Sequence, residues 1–540
     1  MDRQDGLHVL STADAARVGE ALRRGASRRD VLRMLTAGGM ALATAGSIVG
    51  TARRAWADTP KSGGKIRVAQ PGVSTADTVD PAKQSFSADY VRCNMFYNGL
   101  YTLDGSLTPQ PALAESSRND GAKIWTFTLR KGVQFNDSKT LDADDVVYSL
   151  SRHKDPAVGS KARALAEQMT EIKATGPLEV QVTLAGPNAD LPVVLGTFHF
   201  LIIKAGTTDF TKAIGTGPYL CTEFSPGVRT VGTRNPNYWK PGKPYLDQIE
   251  TFGIGDEGAR INALLSGDVQ LTSTISPRSV GRIEHSPGFA IFETKSGYYT
   301  DLVLRLDEAP GSNPDFIKAM KFLSDREQMR TAVLRGHGVV GNDQPIDPTN
   351  RFYFAGLPQT PFDPDQAKFH FQKTGIGSTP VPIVCATAAD NSVEMALLLQ
   401  QAGQKIGLTL DVQKVPNDGY WSNHWMKHPV GYGSVNPRPS ADILFTLFFK
   451  SDAAWNESAW KNPQFDQLLA AARQETDEAK RKQMYADMQT LVHDEAGIGI
   501  PVFMSLLDAH TTKLKGLSPI PLGGLMGYNF AENVWLDTEA

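Results

Sequence analysis

The sequence predicts an α/β protein, on three observations. Segments with period-two hydrophobic alternation are interleaved with helix-patterned segments, glycine- and proline-rich connections separate them, and the chain is long enough for more than one domain. At 540 residues, 41% hydrophobic and 21% charged, it can bury cores for roughly two to four domains. The same figures exclude collagen, coiled coil and global disorder. Lys plus Arg number 55 and Asp plus Glu 58, a net charge of −3. No basic excess marks a nucleic-acid partner or an anionic membrane surface.

Lys65-Ile66-Arg67-Val68-Ala69 alternates as an opening strand after the flexible Ser62-Gly63-Gly64. Ile124 to Leu129 alternates as well, and Lys131-Gly132 is expected to turn it into Val133-Gln134-Phe135 as a half-buried hairpin. A helix then starts near Ala143, with Asp142 as its cap and Asp144 and Asp145 at the positive end of its dipole. Between Gly215 and Ser266 come a turn at Gly215-Thr216-Gly217-Pro218-Tyr219, a proline-rich connection at Asn235 to Trp239, a strand at Leu246 to Phe252 and a helix at Ala259 to Leu265. Further helices are expected at Pro314 to Leu334, Ser392 to Ile406 and Asp477 to His493. The last third therefore reads as a second, helix-rich α/β lobe. No fixed-period repeat is present, which excludes solenoids.

The first 57 residues differ from the rest. Ser27-Arg28-Arg29-Asp30-Val31-Leu32-Arg33 precedes the uncharged run Met34 to Gly50, and Ala55-Trp56-Ala57 has the small-x-small form of a peptidase site. This looks like a twin-arginine export signal cut between Ala57 and Asp58. The uncharged run has 17 residues, short of the roughly 20 needed to span a bilayer. Cleavage leaves 46 basic against 53 acidic residues, an acidic chain of −7. Cys93, Cys221 and Cys385 are far apart and lack a CxxC spacing, which excludes a cysteine-based zinc site and leaves room for one disulfide at most.

Gly253-Ile254-Gly255-Asp256-Glu257-Gly258 is a literal GxGxxG between a strand and a helix. Its two acids would face a pyrophosphate, and the next strand ends without an acid for a ribose, so it does not read as a dinucleotide site. Ser62-Gly63-Gly64-Lys65, Ser117-Arg118-Asn119 and Lys373-Thr374-Gly375 imitate the elements of penicillin-recognising enzymes, but a Gly pair cannot open the required helix. No GxSxG, HExxH or P-loop occurs. His424 and His428 have helical metal-ligand spacing, but Pro429 follows directly and no third ligand is identifiable nearby.

From Tyr420 to Trp460 the chain holds Tyr420, Trp421, Trp425, Tyr432, Trp455 and Trp460, four of the eight tryptophans in 41 residues. The intervening Gly431-Tyr432-Gly433-Ser434-Val435-Asn436-Pro437-Arg438-Pro439-Ser440-Ala441-Asp442 is broken by glycine and proline and reads as a loop. The cluster is either core or stacking pocket, and the loop favours a pocket.

Several stretches, in order, resemble the family 5 solute-binding proteins of peptide and nickel ABC importers. They are Gly63 to Ala69, Pro111-Ala112-Leu113-Ala114-Glu115-Ser116, Trp125 to Phe135, Gly215 to Tyr219, Arg234 to Trp239, Ser324-Asp325-Arg326-Glu327 and Trp460 to Asp466. Each string is weak alone, but the seven fall in order over about residues 60–510. The resemblance implies a two-lobed, type II periplasmic-binding-protein-like fold in a large variant with an extra inserted domain. Its expected parts are a first lobe from residues 58–100, 215–312 and 505–540, an inserted domain at 101–214 and a second lobe at 313–504.

The function it implies is capture of a short peptide or similar zwitterionic solute by lobe closure, and delivery to an ABC permease and ATPase complex in the inner membrane. The chain would be a periplasmic monomer, with no cofactor, no metal and no nucleic acid. An exported α/β enzyme and a binder of nickel or a metal complex are the alternatives. By resemblance, Asp442 would pair with the ligand's ammonium group. Arg438 could pair with a carboxylate, while Trp421, Trp425, Tyr432, Asn436 and Trp455 would line the pocket. An ion pair with each other or with the surface is the competing reading of Asp442 and Arg438.

Overall fold

The computed structural model describes residues 59–72 and 74–537. The export signal expected over residues 1–57 and the cut before Asp58 lie outside the described residues. Among the described residues no helix is long and apolar enough to cross a membrane.

A twelve-stranded sheet forms the spine. Phe289–Leu304 and Val502–Thr511 run antiparallel through its middle. The first has 16 residues, roughly 50 Å of strand and about three times the usual length. Phe289 to Thr294 pairs with Leu506 to Thr511; the register then shifts before Tyr298, and Tyr299 to Leu304 pairs with Val430 to Val435. One strand thus serves two lobes. At the shift, Ser296 Oγ donates to the Met504 carbonyl at 2.8 Å, and a Cβ on Gly297 would lie 2.6 Å from Asp347 Oδ2. Any larger residue at this crossing would have to displace the Asp347 carboxylate.

On one side of the crossing lies Lys65–Gln70, parallel to Gln248–Gly253 and Leu271–Thr272. The edge there is the hairpin Tyr219–Ser225 and Arg229–Arg234, which the sequence pattern did not signal. On the other side Val381–Cys385 pairs in parallel with Leu410–Lys414 and touches Val430–Val435. Phe316, Met320 and Leu399 belong to one core of this second lobe, and Phe445, Phe465 and Tyr485 to another. The two-lobed α/β class stands as expected.

Ile124–Leu129 is a strand, but its partners are Ala114–Asp120 and Glu179–Leu184, in a separate four-stranded antiparallel sheet. The expected hairpin with Val133 to Phe135 does not form. Val133 and Phe135 are both buried, so that segment turns both side chains into the core and closes on the Lys139 carbonyl instead. Asp142 caps Ala143–Arg152 as expected, accepting from Asp144 and Asp145 N while Asp145 reaches back to Asp142 N.

The helix expected from Pro314 to Leu334 is broken after Leu323. Ser324 is extended and Asp325 caps a new turn by accepting from Gln328 N, because short polar side chains compete for backbone groups and favour caps. Ser392–Ile406 runs as expected and stops at the left-handed Gly407. The last long helix is Glu478–Glu495, capped by Asp477. In the GxGxxG stretch Asp256 caps Glu257–Leu265 by accepting from Ala259 N, and Glu257 accepts from Ser276 N. All three cysteines are free thiols.

Candidate ligand-binding cleft

A cavity of about 370 Å³ opens on the second lobe, walled by Tyr298, Trp421, Trp425, Asn436, Arg438, Phe448 and Trp455, with Ala388 and Ser434. A neighbouring cavity of about 360 Å³ lies at the strand crossing, between Thr274 to Pro277 and Asp508 on one side and Asp390 and Met504 on the other. Tyr298 lines both and divides them. Its hydroxyl donates to Asp390 Oδ2 at 2.5 Å, and Thr300 Oγ1 holds the Asp390 carbonyl at 2.6 Å.

Five aromatic and cationic groups follow one another along the second-lobe wall. Trp421 meets Trp425 edge to face at 5.7 Å, Trp425 meets Trp455 at 6.3 Å, and Trp455 meets Phe448 at 5.5 Å. The Arg438 guanidinium lies 5.7 Å from the Phe448 ring centre. Trp421 and Trp455 remain 43% and 41% exposed. Such rings carry a large hydrophobic payload that a ligand can cover.

Arg438 sits between Pro437 and Pro439, after the end of Val430–Val435 and before Ser440, the cap of Ala441–Phe448. Flanking prolines restrict the backbone, so this linker has few ways to fold its side chain back. Among the described residues Arg438 makes no ion pair, and its Nε has no hydrogen-bond partner. Burial pushes its pKa down, while Tyr299 and Tyr90 oppose that shift. A half-buried guanidinium is best stabilised by an anionic partner held with charge-assisted hydrogen bonds.

Tyr90, on the helix Ser87–Phe96, lies near enough to Arg438 for the two to influence each other's charge. It stacks on Phe198 at 3.9 Å and meets Tyr528 at 5.1 Å, with Phe198 and Tyr528 at 5.4 Å. Burial and Tyr528 push the Tyr90 hydroxyl up to about 12, and Arg438 opposes this. Tyr90, Phe198, Tyr298, Phe448, Asp390 and Tyr528 were absent from the sequence reading. They are spread from residue 90 to residue 528, and only Phe448 falls in the stretch that holds Trp425 and Trp455.

Asp442 is not in this cavity. It stands in the first turn of Ala441–Phe448, where its carboxylate accepts from Arg473 Nε at 3.0 Å and lines a different cavity with Leu165, Asn188 and Arg473. One helical turn beyond the Pro-flanked linker is enough to face it away from the tryptophans. Burial raises its pKa, with Arg473 opposing. Tyr432 is also displaced from the expected pocket: it is buried in the second-lobe core and its carbonyl accepts from Tyr420 Oη at 2.7 Å. Strand alternation puts it on the inner face. Trp460 is likewise core. Trp421, Trp425, Asn436, Arg438 and Trp455 are brought together.

His424 Nδ1 and His428 Nε2 lie 3.2 Å apart. Among the described residues no group of three or more His, Cys, Asp or Glu is arranged to hold a metal.

Residues 108–457 match the family described as bacterial extracellular solute-binding proteins, family 5. The chain is similar to the glutathione-binding protein GsiB of Escherichia coli O6:K15:H31, 23% identical over 474 residues, covering 83% of this chain and 91% of that protein. It is 24% identical over 491 residues to di/tripeptide-binding protein 2 of Pseudomonas aeruginosa, covering 82% and 90%. Its fold matches that of the ABC transporter-associated periplasmic binding protein DppA of Helicobacter pylori, solved with the peptide STSA, with a TM-score of 0.71, 22% identity and coverage of 88% and 99%. The family match covers well over half of the chain, and the two-lobed architecture agrees with it. The chain therefore belongs to family 5 of the bacterial extracellular solute-binding proteins, the substrate-binding components of ABC transporters, which are not enzymes.

Proposed function

We propose that this binding protein captures a short peptide or related zwitterionic solute in the cleft between its lobes and delivers it to an inner-membrane permease and ATPase complex. The observation that carries the reading is the unpaired Arg438 guanidinium at the end of the Trp421–Trp425–Trp455–Phe448 row. An anionic group of the ligand pairs with Arg438, and its body stacks on Trp421, Trp425 and Trp455, with Asn436 beside them. Asp390, which accepts from the Tyr298 hydroxyl that borders both cavities, replaces Asp442 as the acid in this reading. The names of the two relatives, which are a glutathione and a di/tripeptide binder, support this ligand class.

The working unit in this proposal is a monomer exported by the twin-arginine route and cut after Ala57. Its lobes are residues 58–100 with 215–312 and 505–540, and 313–504, with 101–214 inserted. Closure expels water and strengthens each polar contact in the cleft. Intrinsic fluorescence tests the site. Adding glutathione or tripeptides to the cleaved chain changes tryptophan emission with 1:1 saturation and without consuming the peptide. Emission that stays constant across the peptides, while nickel alone changes it, supports a metal binder instead.

A further inference from the structure

Beneath the tryptophan row lie two carboxyls that play no part in the reading above. Asp301, on Phe289–Leu304, is paired in register with Gly433 of Val430–Val435. Glu457 reaches the same spot from the loop after Trp455. A Cβ on Gly433 would lie 2.0 Å from Glu457 Oε1 and 2.8 Å from Asp301 Oδ1, so the missing side chain of Gly433 makes the space that holds both acids. Asp301 is 1% and Glu457 3% exposed. Among the described residues no ion pair reaches either acid, and apart from Glu457 no side chain offers Asp301 a hydrogen bond. Among the described residues the one outward hydrogen bond comes from Trp425, whose Nε1 donates to Glu457 Oε1 at 2.5 Å. Trp425 is the middle ring of the exposed row.

Two carboxylates in a dry space cannot both ionise at neutral pH, because burial and mutual repulsion both favour the neutral form. Burial raises the pKa of Asp301, and burial followed by Asp301 raises that of Glu457. The groups around the pair do not offset this. Tyr299 and Tyr420 are themselves buried hydroxyls pushed up by burial and by these acids. Arg438 reaches Tyr299, while His424 and His428 lie on the Trp425 segment and pair with each other.

We propose that Glu457, sharing one proton with Asp301, is the positioning residue for Trp425 and couples the aromatic wall of the ligand cleft to proton uptake. A ligand stacked on Trp425 removes more water from above the pair and so favours its protonated form. By linkage, protonation then favours the ligand by the same factor. Affinity accordingly rises as pH falls through the midpoint of the pair, and release is favoured as pH rises. This coupling to ligand rests on the stacking reading; the arrangement of Trp425 and the two acids does not.

The test uses ligand-free protein, so it separates from any failure to find a peptide ligand. Tryptophan labelled with ¹⁵N gives an indole N–H resonance for each ring, and Trp425→Phe identifies that of Trp425. In the wild type this resonance shifts with pH through one inflection above the ordinary carboxylate range. In Glu457→Gln, whose amide oxygen still accepts the indole N–H, the resonance keeps its hydrogen-bonded position and the inflection disappears. Asp301→Asn serves as the second variant and moves the inflection to lower pH, because the remaining acid loses its like-charged neighbour. The double variant His424→Gln with His428→Gln retains the wild-type inflection. A flat wild-type titration, an inflection unchanged in either acid variant, or its loss in the histidine variant would overturn the proposal.

Discussion

Arg473 Nε donates to Asp442 Oδ1 at 3.0 Å, tying Pro463–Gln474 to the first turn of Ala441–Phe448. Near it Asp190 lies 3.0 Å from Arg351 and 2.9 Å from Arg481, and the Ala189 N–H donates to the Arg473 carbonyl. These charges join the segment around Asp190 to the second lobe.

Asp442 is accordingly a stability residue. Asp442→Asn removes the charge paired with Arg473 while keeping an amide oxygen to accept its Nε–H, and Arg473, which also donates to Thr446 Oγ1, is 34% exposed on its side chain and can be rehydrated. The expected cost is about 1–2 kcal/mol of stability, below the 3–5 kcal/mol of a fully buried pair. Peptide affinity should stay within about threefold of wild type. Chemical denaturation and calorimetry on the same sample read both quantities.

Gly433→Ala should be among the most damaging single-methyl additions in the second lobe. The new Cβ would overlap Glu457 Oε1, so either the strand shifts or Glu457 leaves Trp425. We expect a loss of about 1–3 kcal/mol and a changed tryptophan emission in the ligand-free protein. Gly431→Ala, two residues earlier, meets nothing closer than 3.5 Å and serves as the control.

The pH dependence of stability should include Asp508. Burial raises its pKa to about 7, against hydrogen bonds from backbone donors that include Leu525 N. A carboxyl with a raised folded-state pKa contributes stability that is complete below its unfolded value of about 4 and is lost as pH rises towards about 7. Asp508→Asn keeps an acceptor for Leu525 N and cannot ionise. Its melting temperature should equal or fall below that of wild type near pH 4 and exceed it by a few degrees at pH 8. A uniform decrease at both pH values would assign Asp508 a purely structural role.

How much of this was legible in the sequence differs between elements and site. Ser392–Ile406 and the Asp142 cap followed from periodicity and from a side chain that satisfies its own helix end. The Pro314 helix did not, because Ser324-Asp325 are tolerable in a helical pattern until the backbone hydrogen bonds offered elsewhere are known. Within the site, Trp421, Trp425, Asn436, Arg438 and Trp455 were legible because they fall in one short stretch. Asp442, assigned by resemblance, lines a different cavity, because a positional match along the chain does not say which way the first turn of Ala441–Phe448 faces. Tyr90, which packs with Phe198 and Tyr528, comes near Arg438 only through tertiary packing, and Asp301 meets Glu457 only through the gap at Gly433. Neither relation has a sequence spacing.

Export by the proposed twin-arginine route would depend on the paired arginines Arg28 and Arg29. Arg28→Lys with Arg29→Lys should leave the precursor uncleaved and inside the cell, as judged by fractionation. Undiminished export of the double variant would assign a different route.

The central claim is that Arg438 takes the anionic group of a peptide-like ligand in the cleft. The direct measurement is calorimetric titration of the cleaved chain, wild type and Arg438→Gln, with glutathione and a set of di- and tripeptides, with circular dichroism showing both proteins folded. The wild type should bind 1:1 and the variant should lose roughly 2–5 kcal/mol of binding, about 30- to several-thousand-fold in affinity. Binding by Arg438→Gln within about threefold of wild type, in the range of a solvent-screened charge, would contradict it.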